Sequence, residues 1–168
     1  MNCESATGPD ASQIESEILE NAKKKALHHL SYRDLTEAQL REKLEAGEFP
    51  PPAIDAAVEY VRSYHYIDDK RYADQYVRAK KAERSVFEMR EELRRRGVQQ
   101  ELVDEAIGSG EVDETETVRT LFLKKFGRKD LSDPKLYEKA LRYFAGKRFP
   151  YGAAKDGIRS ALEEIGEQ

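Results

Sequence analysis

The sequence predicts an all-α protein built as an elongated array of tandem three-helix units. Three observations predict it. First, Thr36, Leu40, Leu44, Phe49, Ile54 and Val58 are followed at identical internal spacing by Ser85, Met89, Leu93, Val98, Val103 and Ile107. A third copy runs through Ala140, Phe144, Phe149, Ala154 and Ile158, so the period is about 50 residues, within the range of tandem helical units. Second, no stretch alternates apolar and polar residues as a half-buried strand does. Third, charged residues make up 37% of the chain and apolar residues 39%, without tryptophan, which suits helices with thin cores and wide wet surfaces. In such arrays each unit packs on its neighbours, so they present a continuous surface more often than a buried catalytic pocket. The first functional expectation is binding.

The elements follow in order. Residues 1–12 mix Gly, Pro and small polar residues and read as a flexible tail. Ile14, Ile18, Ala22, Ala26 and Leu30 recur at helical spacing and lead to Ser31 as one long helix or two consecutive ones. Thr36 with Gln39 forms a capping-box pattern, Leu40 and Leu44 supply the buried stripe, and Gly47 is expected to stop the helix in a left-handed conformation. Pro50, Pro51 and Pro52 precede the apolar positions Ile54, Ala57, Val58 and Val61, as suits a turn and a first helical position.

Asp68 or Asp69 caps a helix whose inner face is Tyr72, Ala73, Tyr76 and Val77. Ser85 with Glu88, the stripe Met89 and Leu93, and the stop at Gly97 then repeat the earlier logic, with Leu102, Val103, Ala106 and Ile107 on the next face. Gly108 and Gly110 punctuate the chain before Val118, Leu121, Phe122 and Phe126. Asp133 and Pro134 read as an N-cap and first helical position, one turn earlier than in the other units. Gly152 and Gly157 are expected to fray the last helix. The organisation is a tail (1–12), an N-terminal segment with repeat 1 (13–65), repeat 2 (66–110) and repeat 3 (111–168).

Composition narrows the function. Mean hydropathy is −0.82, and no apolar run approaches the roughly 18 to 20 residues of a membrane span. The first twenty residues carry five acids where a signal peptide has cations and an apolar stretch. With Cys3 as the only cysteine there is no disulfide framework, which fits a reducing, cytoplasmic setting. The formal net charge is −4, but it is segregated. From Arg119 to Arg148 ten Lys or Arg (119, 124, 125, 128, 129, 135, 139, 142, 147 and 148) face three acids, Asp130, Asp133 and Glu138. Segregation of this kind attracts phosphate or acidic surfaces even when the molecule as a whole is anionic.

Reactive constellations are few. His28 and His29 are adjacent and diverge by about 100° on a helix, so they do not converge on a metal. Asp68, Asp69 and Asp74 suggest an aspartate-dependent metal site, yet their spacing is not that of a one-sided helical cluster and a capping role explains the pair. The segment from Gly108 to Gly110 follows no strand and is no phosphate loop. No catalytic residue, metal or cofactor is assigned. The candidate binding residues are cations: Lys80, Lys81 and Arg84; Arg94, Arg95 and Arg96 at a helix end; and Lys124, Lys125, Arg128, Lys147 and Arg148. One or two cations complement a helix dipole, whereas three consecutive arginines exceed that need and can reach phosphates. Tyr72, Tyr76, Tyr143 and Tyr151 stand beside these clusters and could stack on bases, but read first as packing residues with wet hydroxyls.

Three segments, ALHHLSYRDLTEAQLREKL, YIDDKRYADQYV and SVFEMREELRRRGVQQELVDEAI, together with KRFPYGAAKDGIRSAL, resemble the RecX family of bacterial regulatory proteins over residues 20–163. Lys147 and Arg148 stand where the family usually has Arg-Gly before Phe149. The resemblance implies three three-helix repeats in a curved molecule. It also implies a non-enzymatic regulator that lodges in the groove of the RecA recombinase filament on DNA. That regulator restrains RecA's ATP hydrolysis, strand exchange and co-protease activity in DNA repair and the SOS response. These cations would then face the filament or its DNA, on a monomer that binds DNA weakly or not at all by itself. An independent DNA-binding module, with Arg94 to Arg96 on phosphates and Gln99 and Gln100 near base edges, is the alternative.

Overall fold

The structure is a computed structural model in which residues 11–127, 133 and 135–166 are described. Among them there are nine helices and no strand. Two compact units divide the chain, with the boundary between Tyr72 and Ala73, inside the fourth helix.

In the first unit, α1 (Ala11–Tyr32) packs on α2 (Glu37–Ala46) and α3 (Pro51–Ser63). It is one continuous helix, with Ala22 and Ala26 fully buried so that the backbones approach closely. The repeated residues Leu40, Leu44, Ile54 and Val58 form the core with Ala57, Val61 and Ile67, while Phe49 packs at its edge. Thr36 closes a complete capping box on α2: its hydroxyl accepts from the Gln39 N–H at 3.2 Å, and the Gln39 side chain accepts from the Thr36 N–H.

The two aspartates of the α4 start serve different helices. Asp68 Oδ1 accepts from the Arg71 N–H (2.9 Å) and caps its own helix, α4 (Asp69–Lys80). Asp69 Oδ1 reaches back to the Glu37 N–H (2.9 Å), the first residue of α2. Burial pushes the Asp69 carboxyl up, and the Glu37 N–H pulls it back only in part.

The second unit repeats this device. Its helices are the remainder of α4, α5 (Val86–Arg95), α6 (Gln100–Ser109), α7 (Glu114–Phe126), α8 (Leu136–Gly146) and α9 (Tyr151–Gly166). Asp113 caps α7 through the Thr115 and Glu116 N–H groups, while Glu114 Oε1 accepts from the Val86 N–H of α5 at 2.9 Å. Asp68/Asp69 and Asp113/Glu114 are therefore equivalent pairs: the first acid caps its own helix and the second caps the helix of the preceding repeat. Each such cap contributes about 1 kcal/mol. The last core gathers Val118, Phe122, Phe126, Ala140, Phe144, Phe149, Ala154 and Ile158.

All three repeats stop their second helix with the same pair of backbone bonds. Phe49, Val98 and Phe149 donate to the carbonyls of Leu44, Leu93 and Phe144 at 3.1–3.3 Å. The residues before them, Glu48, Gly97 and Arg148, donate to Glu45, Arg94 and Ala145 at 2.8–3.0 Å and hold positive φ of 60°, 80° and 61°. This corrects the expected left-handed stop at Gly47, whose φ is −83°. The left-handed residue is the next one, and only the middle repeat places glycine there. The apolar residue after it folds back on the helix it ends, as the 5.6 Å edge contact of Phe149 with Phe144 shows.

Two further expectations are corrected. Asp133 bonds the Lys135 N–H, but α8 begins at Leu136, close to the repeat register and not a turn early; Pro134 lies outside the described residues. The α9 helix does not fray at Gly157, because the glycine is a contact point. A Cβ there would lie 2.6 Å from the Thr115 carbonyl and 2.7 Å from Val118 Cβ, so hydrogen at this position lets α7 and α9 approach. The expectation of a tail falls on residues 1–10, outside the described residues, and on Ala11 and Ser12, which open α1.

Candidate partner interface

The basic clusters differ in what the fold has already done with their charge. At the end of α4, Lys80 pairs with Glu83 at 3.2 Å, and Lys81 Nζ donates to the Gly110 carbonyl at 2.9 Å. Lys81 thereby completes the terminus of α6 and is a structural residue first.

The three arginines closing α5 carry their own counter-charges. Arg94 pairs with Glu91 at 3.3 Å, and Arg95 and Arg96 both pair with Glu92 at 2.7 Å. Arg96 also lies over the Tyr76 ring, 5.0 Å from its centroid. The Arg96 hydrogen bond outweighs the cost of burial and holds the Glu92 carboxyl below its usual range, with Arg95 and Arg84 adding to the field. Arg94 and Arg95 remain 60% and 74% exposed, and such surface pairs are worth about 0–1 kcal/mol, so a partner can compete for them cheaply. Arg96, at 32%, is held on two sides.

In the third repeat Lys124 and Lys125 are exposed, with Lys125 Nζ 4.4 Å above the Tyr143 ring. Tyr143 in turn meets Phe126 and Phe144 edge-on at 5.8 and 5.2 Å. Tyr143 and Tyr76 thus pack beneath cations, whereas Tyr151 is 70% exposed. Arg128 lies outside the described residues. Lys147 and Arg148 sit in the α8 stop. The Lys147 carbonyl accepts from the buried Ser85 Oγ at 2.8 Å, and the Arg148 guanidinium lies 5.2 Å from the Phe87 ring centroid.

Arg84, Lys147 and Arg148 are therefore gathered around the first turn of α5, while Lys124 and Lys125 stay together on α7. Among the described residues these five cations make no ion pair, in contrast to Arg94, Arg95 and Arg96. Sequence reasoning missed Phe87, which is 48% exposed, because the contact that brings it to Arg148 spans two repeats. It also missed the second role of Ser85, whose hydroxyl accepts from the Glu88 N–H and donates across 62 positions to Lys147.

The acids offered as a metal site are engaged elsewhere: Asp68 and Asp69 cap two different helices. No group of three or more metal-binding side chains converges among the described residues. His29 has its Nε2 buried without a partner, and burial, with Lys43 and Lys25 nearby, lowers its pKa. Among the described residues no helix is long and apolar enough to cross a membrane.

Fold and surface together define an all-α repeat protein that carries separate clusters of exposed cations on its second and third repeats. Residues 22–60 match the first three-helix domain of RecX, and residues 68–107 match the second. Regulatory protein RecX of Trichlorobacter lovleyi is 35% identical over 144 residues, covering 83% of this chain and 92% of that protein. Regulatory protein RecX of Clostridium botulinum is 30% identical over 131 residues; the match covers 76% of this chain and 62% of the relative's length. Crystal structures of RecX from Lactobacillus salivarius (TM-score 0.71, 18% identity, 87% of this chain and 97% of that one) and of a regulatory protein RecX (TM-score 0.72, 25% identity, 89% and 77%) share the fold. The chain belongs to the RecX family of regulatory proteins.

Proposed function

We propose that this chain is a non-enzymatic regulator that binds the RecA filament on DNA and restrains its ATPase, strand-exchange and co-protease activities in DNA repair and the SOS response. Family membership supports the regulatory role, and the observation that carries the contact model is a set of cations on a repeat scaffold, of which Arg84, Lys124, Lys125, Lys147 and Arg148 make no ion pair among the described residues and Arg94 and Arg95 are held only by exposed surface pairs. Three units, 13–65, 66–110 and 111–168, act as modules whose individually weak contacts add when one chain touches several RecA subunits. The chain works as a cytoplasmic monomer without cofactor. Its partner-facing residues are Lys80, Arg84, Arg94, Arg95, Arg96, Lys124, Lys125, Arg128, Lys147 and Arg148. Lys81 contributes by fixing the α6 end.

Independent DNA binding is the second reading, and one observation weighs against base readout. The Gln100 amide is committed to Asp104 Oδ2 at 3.0 Å. Charge reversal separates the clusters: Arg94, Arg95 and Arg96 to Glu in one variant, Lys124 and Lys125 to Glu in another. Loss of binding to RecA-coated single-stranded DNA with helicity unchanged supports the model. Undiminished binding in both removes these residues from it.

A further inference from the structure

Arg148 is placed unlike any other arginine in the second unit. Its backbone is left-handed, φ 61°, at the repeat position where the middle unit has Gly97 in the same conformation. The fold does not need a side chain there, and an L-residue with a Cβ is strained in that region. Its guanidinium lies over Phe87 at 5.2 Å, so ring and backbone together fix where the head sits. Phe87 itself is 48% exposed. Among the described residues no carboxylate pairs with Arg148, whereas Arg90, Arg94, Arg95, Arg96, Arg119 and Arg159 each have one. Glu48 holds the same conformation in the first repeat, so the strain alone assigns no role; what sets Arg148 apart is the half-exposed ring beneath its guanidinium.

We propose that Arg148 on Phe87 is a preorganised clamp for a carboxylate of a protein partner, one whose acidic side chain is flanked by an apolar one. The planar fork takes a carboxylate through two parallel N–H···O bonds, and stacking removes the rotamer freedom that binding would otherwise freeze. The open Phe87 ring accepts the apolar neighbour, an Arg–aromatic combination typical of binding hot spots. A nucleic-acid backbone is the less suitable occupant: Arg84 and Lys147 nearby add charge that phosphates reward, but a phosphate leaves the half-exposed Phe87 ring uncovered. This inference deepens the filament-binding proposal and rests on it for the identity of the partner, but not for the clamp chemistry.

Two measurements on the full chain keep the two apart. The first is binding to RecA-coated single-stranded DNA together with thermal unfolding, for wild type, Arg148→Gly, Arg148→Lys, Phe87→Ala and the control Glu48→Gly. Arg148→Gly should unfold at a higher temperature yet bind about tenfold more weakly. Arg148→Lys and Phe87→Ala should also weaken binding, and Glu48→Gly should stabilise without affecting it. If Arg148→Gly binds like wild type, the clamp is wrong. The second follows the Arg148 Hε resonance by NMR during titration with the dipeptide N-acetyl-phenylalanyl-glutamate, with inorganic phosphate in parallel. A saturable shift with the dipeptide, lost in Phe87→Ala, supports the clamp even if no filament is bound. No shift, or an equal shift with phosphate, overturns it.

Discussion

Replacing Gly97 by alanine and Glu48 by glycine perturbs one repeat position in opposite directions, and the structure sets the sign of each change. Both residues hold left-handed φ, 80° and 60°, while donating the same helix-ending backbone bond. A Cβ in that region costs roughly 1–2 kcal/mol, and the extra freedom glycine brings to the unfolded chain offsets roughly 0.4–1 kcal/mol. Gly97→Ala is therefore expected to destabilise by about 1 kcal/mol and Glu48→Gly to stabilise by about 0.5–1 kcal/mol. For a chain of this size each kcal/mol moves the thermal midpoint by about 2–4 °C. Urea and thermal unfolding followed by circular dichroism read both. A Glu48→Gly variant less stable than wild type, or a neutral Gly97→Ala, would show that the stop is not strained as described.

Other expectations follow from named contacts. Asp69→Ala should lose about 0.5–2 kcal/mol of stability at neutral pH through the uncapped Glu37 N–H, whereas Asp69→Asn, which keeps an acceptor, should lose less; equal losses would refute the capping role. Because burial raises the Asp69 pKa above its unfolded value, the proton-linked part of its contribution, separate from the cap itself, is complete below that unfolded value and is lost as pH rises through the folded one. Asp69→Asn should therefore flatten the stability profile on the mildly acidic side. Glu92 has the opposite sign: the stability its lowered pKa contributes is present above the unfolded value and is lost as pH falls through the folded one, and Arg96→Leu should reduce that acid sensitivity in urea titrations across pH, with Arg95 left as its remaining partner. Gly157→Ala forces a Cβ against the Thr115 carbonyl and Val118, so it should destabilise by about 1–3 kcal/mol; an unchanged urea midpoint would contradict the close crossing of α7 and α9.

The repeat was legible because its signal is burial, and burial falls on fixed residues. Leu40, Leu44, Met89, Leu93, Ala140 and Phe144 are all fully buried, and the Thr36 and Ser85 N-caps lie where the spacing put them, although only Thr36 closes the full capping box expected of both. Conformation within the stops was less legible. Glycine marks a left-handed residue only when the chain chooses glycine, and Glu48 and Arg148 occupy that conformation without it. The cations were found as a list but not as a site. Pairing of Arg95 and Arg96 with Glu92 is local and readable at helical spacing, whereas the approach of Arg148 to Phe87 depends on how two repeats meet. Asp69 and Glu114 were hidden for the same reason, since each caps a helix of the preceding repeat.

The central claim is tested most directly by RecA-dependent ATP hydrolysis on single-stranded DNA, titrated with this protein beside a DNA-only binding control at several salt concentrations. The account predicts suppression at substoichiometric protein with little affinity for DNA alone. Unchanged hydrolysis together with tight, steeply salt-dependent DNA binding would contradict it and establish the independent DNA-binding module instead.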